Sequence, residues 1–233
     1  MDMGLPLPHQ KHIQFLSYTY GLVIGTMVLF SLLIPKTQDI LLVNSTHTEF
    51  QDNLFRVITY LGDGVVFVPI VLLLLFVRFY DAVAATALAI LLAIITSVLK
   101  RLIYADAGRP ITQIDNSLLY FVPGVEVHSH HSFPSGHTAT IFGIVVFFSL
   151  LSGRKNVSVL LLIIGLLVGY SRMYLLQHFL IDVTVGAILG TVSALLIYSV
   201  FAHRKYAPWM DKNLHIRVRT GHHHTFNEKM LKH

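Results

Sequence analysis

An all-α fold, a membrane bundle of six transmembrane helices, is what this sequence predicts, and three observations carry the prediction. Hydrophobic residues make up 54% of the 233 positions and charged residues only 12%, too apolar and too sparsely charged for an ordinary soluble domain. The apolar residues fall into blocks bounded by charge, proline or glycine, and a hydrocarbon core of about 30 Å needs roughly 20 such residues per helix. The blocks follow one another without an internal repeat or a linker that would divide the chain. One membrane domain over residues 1–205 follows, with a basic, flexible cytoplasmic tail over 206–233.

The first span is predicted at 13–34; it is longer than a signal-peptide core, lacks a small-residue cleavage pattern after it, and reads as retained. Residues 37–64 come next. There Asn53, Leu54, Val57, Ile58 and Leu61 form a partly amphipathic stretch suited to the membrane interface, ahead of the Gly62-Asp63-Gly64 break. Further spans are predicted at 65–80, 82–102, 137–153, 157–174 and 181–202. Lys11, Arg78, Arg154, Lys155, Arg204 and Lys205 gather at one set of span ends, which places both termini in the cytoplasm. In the tail, His222 to His224 read as part of a solvated or headgroup-binding segment. Tyr18, Tyr80 and Tyr198 are assigned to interfacial belts, and Gly186, Gly190 and Ala194 to close helix packing.

Composition also excludes chemistry. With no cysteine there is neither a disulfide framework nor a thiolate ligand or nucleophile. The formal charge of +5 is spread over loops and the tail, which points to anionic lipid as partner and not to nucleic acid.

The alternation of spans brings the end of the third, the start of the fourth, the end of the fifth and the start of the sixth to one membrane face. Most of the unusual residues sit there: Lys100-Arg101, Arg109-Pro110, Pro134-Ser135-Gly136-His137, Ser171-Arg172, and His178 four residues before Asp182. Ionisable groups so near a membrane core are costly, so function is their default explanation. Phosphoryl transfer fits them, because the spread negative charge of a phosphoryl group needs positioned cations and donors. Lys100, Arg109 and Arg172 supply charge, and the Ser135-Gly136 turn opens a helix toward an anion. The i, i+4 spacing lets Asp182 orient His178 as nucleophile, which leaves His137 as general acid. Glu126, His128, His130 and His131 lack a fixed ligand geometry and read as a polar loop at the site, with a zinc site as the rival reading. Asp63 reads as a helix N-cap, with a supporting place beside the phosphate-binding cluster as the rival reading.

Pro134-Ser135-Gly136-His137, together with Ser171-Arg172, five residues, His178, three residues and Asp182, resembles the second and third motifs of the type 2 phosphatidic acid phosphatase family. The resemblance implies a metal-independent, cofactor-free phosphatase working through a phosphohistidine. By match, His178 is the nucleophile, His137 protonates the leaving alkoxide and then activates water, and Asp182 fixes His178. Ser135, Gly136 and Arg172 hold phosphate oxygens, and Arg109 matches the arginine before proline of the first motif. Eight residues, not the family's six, separate Lys100 from Arg109; Lys100 is preferred to Arg101 as the first-motif lysine. The implied substrate is a membrane lipid phosphate or pyrophosphate: phosphatidate, phosphatidylglycerophosphate, undecaprenyl pyrophosphate or the phosphates of lipid A. The expected location is the bacterial inner membrane with the site facing outward. A lipid phosphotransferase with the same site, and a non-catalytic transporter of anionic lipid, are the alternatives; soluble vanadate haloperoxidases share the pocket but not the spans.

Overall fold

The computed structural model describes residues 4–6, 8–204 and 206–214. Nine α-helices run in order among them: α1 (Gln10–Leu33), α2 (Gln38–Asn44), α3 (Glu49–Ile58), α4 (Phe67–Leu75), α5 (Phe79–Val98), α6 (Pro110–Gln113), α7 (Gly136–Ser152), α8 (Lys155–Tyr174) and α9 (Leu180–Ala202). No strand occurs among the described residues. The all-helical class is therefore as predicted, while the count of six crossings is not reproduced by length and composition alone. Four helices are long and apolar enough to cross a membrane: α1, α5 with its extension to Ile103, α8 and α9. The predicted span at 65–80 is instead the second half of a broken pair, Glu49–Gly62 and Gly64–Leu75, bent by 61°. Asp63 is extended between them and its carboxylate caps Val65 N at 3.0 Å, so the break is a capped helix start.

At the centre stands α7, 17 residues long and apolar all round. Ser135 caps its start, Gly153 ends it at φ 61°, and Phe142, Val145 and Phe147 are fully buried along it. Against it lies α9. An added Cβ at Gly190 would sit 2.3 Å from Ala139 O and 2.7 Å from Gly143 N, and one at Gly186 2.6 Å from Ser135 O. These glycines are what lets two backbones touch in a bilayer, where burial of apolar surface supplies no drive for helix pairing. Gly190→Ala is expected to cost about 1–3 kcal/mol by forcing α7 and α9 apart. Gly21→Ala is the control, since a Cβ there meets nothing within 4 Å. Thermal unfolding in detergent checks both.

Tyr18 is exposed as an interfacial residue would be, but Tyr80 and Tyr198 are buried inside the bundle. The Tyr80 hydroxyl donates to Phe201 O at 2.8 Å and the Tyr198 hydroxyl to Pro6 O and Leu150 O. Their phenols bond carbonyls near the ends of α9 and α7 and in the segment ahead of α1, a task that composition near a span end does not reveal. Of the tail, residues 206–214 are described and dock against α4 and α5. Tyr206 stacks on Tyr80 at 3.7 Å, and Leu214 N donates to Leu75 O at 2.8 Å. His222 to His224 lie outside the described residues.

Candidate active site

A cavity of about 570 Å³ opens at the membrane face where α5, α7 and α8 end or begin, and Lys100, Arg109, His137, Arg172 and His178 all line it. Each arrives from a different segment. Lys100 sits in a π-helical turn, Leu99–Ile103, that continues α5. The wider i→i+5 turn and the turn closed by Ala107 N on Tyr104 O both fall in the stretch that leads from Lys100 to Arg109. Lys100 enters the cavity, whereas Arg101 is exposed and does not line it.

Arg109 is 7% exposed and held on both sides: Nε donates to His130 O at 2.9 Å and Nη1 to Gln177 Oε1. Burial lowers its pKa, with Asp182 opposing. Gln177 is itself pinned, its amide nitrogen donating to Glu126 O at 2.9 Å and Leu175 O at 3.3 Å. Its oxygen must therefore face the guanidinium. The histidine-rich loop meets the site through both backbone and side chains. His130 O holds Arg109, Lys100 O lies 3.2 Å from His131 Nδ1, and Glu126 and His128 line the cavity as an exposed pair 3.7 Å apart. Among the described residues no group of three His, Asp or Glu is arranged to hold a metal ion.

Arg172, 8% exposed, ends α8 with Nη1 donating to Thr59 Oγ1 at 2.6 Å and its Nε without a protein partner. A buried cation with an open donor is a place prepared for an anion. His178 is 1% exposed in the loop from α8 to α9, where its backbone N–H and that of Gln177 both return to Arg172 O. Burial, with Arg172, Lys100, Arg109 and His137 adding to it, holds the His178 imidazole well below its ordinary pKa. It is neutral at pH 7.

Behind it Asp182 stands with Oδ2 3.6 Å from His178 Nδ1, close enough for an ion pair but too long for a hydrogen bond, and Nδ1 has no other partner. Oδ2 is instead taken by Phe179 N at 3.0 Å and by the buried Ser132 hydroxyl. Ser135 does not line the cavity. Its hydroxyl caps α7, accepting from Thr138 N at 3.4 Å, and its N–H donates to Asp182 O at 3.0 Å, so it sets where His137 stands. A Cβ on Gly136 would lie 3.8 Å from Lys100 Nζ.

Four residues that the sequence reading left without a site role support this arrangement: Thr59, Ser132, Gln177 and Asp39. Gln177 and Ser132 adjoin motif residues and were open to suspicion; Thr59 and Asp39 carry no local signal. Asp39, in α2, accepts from Leu180 N at 2.8 Å and Ile40 N at 2.7 Å, tying the His178 loop to α2. Burial raises its pKa from 3.8 to about 6, against those two amides. Folding thus favours the protonated acid: the stability this group contributes is full below about pH 4 and lost as pH rises through about 6. Asp39→Asn is expected to flatten the fall in Tm between about pH 4 and pH 6 relative to the unmodified chain.

Comparison with known proteins finds the PAP2 superfamily profile matching residues 65–206. The lipid A 4'-phosphatase of Bacteroides thetaiotaomicron is 29% identical over 182 residues, 72% of this chain and 77% of that protein. The bacitracin transport permease protein BcrC of Bacillus licheniformis is 36% identical over 74 residues, 32% of this chain and 36% of that one. Among solved structures, Aquifex aeolicus LpxE superposes with a TM-score of 0.60 at 27% identity, covering 69% of this chain and 92% of that chain. The PAP2-type phosphatidylglycerolphosphate phosphatase of Bacillus subtilis superposes at 0.58 with 22% identity, covering 82% and 95%.

Proposed function

This chain belongs to the PAP2 superfamily, and from that membership we propose that it is a metal-independent membrane phosphatase that hydrolyses a lipid phosphate or pyrophosphate through a phosphohistidine on His178. The observation that carries the reading is the convergence of Lys100, Arg109, Arg172, His137 and His178 on one cavity, with Asp182 behind His178. Three cations neutralise the phosphate oxygens. Nε2 of His178 attacks phosphorus as the P–O bond to the lipid breaks, and His137 gives its proton to the departing oxygen. His137 then takes a proton from water, whose oxygen displaces the imidazole and yields inorganic phosphate. As positive charge grows on His178, Asp182 closes the gap to Nδ1.

A second cavity, about 520 Å³, adjoins the first at His137 and runs between α4 and α5, lined by Gly64, Phe67, Ala89, Ala93 and Thr96 among others. It offers the lipid part of the substrate a lateral path on the side where the general acid stands. In this reading α1, the broken α3–α4 pair, α5, α7, α8 and α9 make six crossings; α7 at 17 residues reaches about 25 Å. Lys11, Arg78, Arg154, Lys155 and Arg204 lie at the remote face, which supports an outward-facing site in a bacterial inner membrane.

Phosphate release from a panel of lipid phosphates in detergent, with chelator present, tests the reading. Phosphates of lipid A lead the panel, because the relative matched over most of both chains carries that name. Release without metal from at least one lipid is expected. Tight binding without release by folded protein would favour the transporter, and release only when an acceptor lipid is added would favour the phosphotransferase.

A further inference from the structure

We propose that the mouth of the cavity holds a second anion subsite, built around Arg56 and fitted to a second phosphoryl group beyond the one attacked. The inference rests on the phosphate reading of the inner pocket and deepens it. Arg56 lines the same cavity as the inner cations but comes from α3, ahead of the residues matched to the family. One helical turn on, Thr59 holds Arg172, so the two guanidiniums are referenced to the same helix face. Three residues of helix rise roughly 4.5 Å. The rim cation is thus set one step outward from the inner pocket.

Its guanidinium is held in place. Nη2 donates to Asn53 Oδ1 and Nη1 to Pro123 O at 3.3 Å. The next residue, Gly124, turns the chain here at φ 78°, a conformation that side chains rarely adopt; an added Cβ would make only an ordinary contact, 3.5 Å from Nη1. Both partners are neutral, and among the described residues no carboxylate lies within ion-pair distance of Arg56. The nearest acid on its own helix, Asp52, is occupied by the Tyr120 and Tyr174 hydroxyls at 2.7 and 2.5 Å. Glu126 shares the rim but turns to His128. A charge-unmatched guanidinium on the exposed rim of the cavity, bonded to two neutral acceptors, keeps donors free for a phosphate.

Size agrees. At a water's share of about 30 Å³ per heavy atom, a phosphate of about five heavy atoms fills on the order of 150 Å³. A cavity of about 570 Å³ leaves room for another. The second group is either part of the lipid, as a pyrophosphate or a neighbouring phosphate, or the released phosphate on its way out.

Calorimetric titration of the full chain in detergent with inorganic pyrophosphate and with inorganic phosphate tests the subsite independently of turnover. Pyrophosphate is expected to bind about tenfold or more tightly than phosphate, and Arg56→Gln to remove most of that preference. Equal affinity for the two anions, or a preference that survives Arg56→Gln, overturns the subsite while leaving lipid hydrolysis untouched. Kinetics then names the source. If Arg56→Gln raises KM for farnesyl pyrophosphate about tenfold more than for phosphatidate, the second group belongs to the lipid. If it weakens product inhibition by phosphate and leaves that ratio alone, the group is the departing product. Absence of hydrolysis with the pyrophosphate preference intact would instead remove the phosphatase reading and keep the anion site.

Discussion

His178→Ala is expected to lower phosphate release by at least about 10⁴-fold, leaving only what the inner cations contribute by binding. His128 also lines the cavity with Glu126 3.7 Å from its Nδ1, but that pair is exposed to solvent, whereas His178 and Asp182 are buried against the inner cations. Because burial among three cations keeps His178 neutral well below its ordinary pKa, its deprotonation does not shape the profile near neutrality. kcat/KM in the unmodified enzyme should therefore show no acid limb from His178 near pH 6.5. The companion variant His137→Ala leaves the proposed nucleophile but removes the group proposed to activate water. Rapid quenching with a labelled lipid phosphate should then trap label on His178. Turnover by His178→Ala within about tenfold of the unmodified enzyme, in protein of unchanged Tm, would end the phosphohistidine mechanism.

Arg172→Lys should lower kcat/KM by about 10²–10³-fold although the charge is kept. The Arg172 guanidinium spends one donor on Thr59 and keeps Nε open, so in the proposed mechanism it meets phosphate from a fixed plane. An ammonium on a flexible stem cannot do both. Thr59→Val separates positioning from charge: it removes the acceptor and frees the guanidinium to swing. A KM several-fold higher, about the loss of one charge-assisted hydrogen bond, is expected, with kcat less affected and Thr59→Ser restoring both. An equal fall in kcat and a drop in Tm would mark Thr59 as a packing residue only.

The substitutions differ in how far sequence could foresee them. His178, Asp182 and Arg172 lie along one chain segment, but His178 stands in the loop ahead of α9. Its place beside Asp182 comes from the capped start of that helix, where Asp182 accepts from Phe179 N, and not from a shared helical face. Lys100 against Arg101 was not decidable from spacing either. Which one enters the cavity depends on the π-helical turn at Leu99–Ile103, and a turn of that kind leaves no mark in an apolar run. Ser135 shows the reverse case. The motif suggested a phosphate contact, but the hydroxyl is used to begin α7, a demand that every buried helix start makes.

The sequence by itself determined the solvent this chain folds in and the chemistry it can hold. Apolar blocks of membrane length, no thiol, and cations and histidines at recurring span ends leave few alternatives, because charge near hydrocarbon is retained only where it works. Tertiary structure alone decided what makes those groups a site. Thr59 reaches Arg172 across 113 positions, Asp39 reaches Leu180 across 141, and Gln177 sets Arg109 across 68. Such contacts arise from helices packed side by side, where small residues such as Gly190 allow backbones to meet. The pairing of distant polar groups is a property of that packing, and local pattern does not encode it.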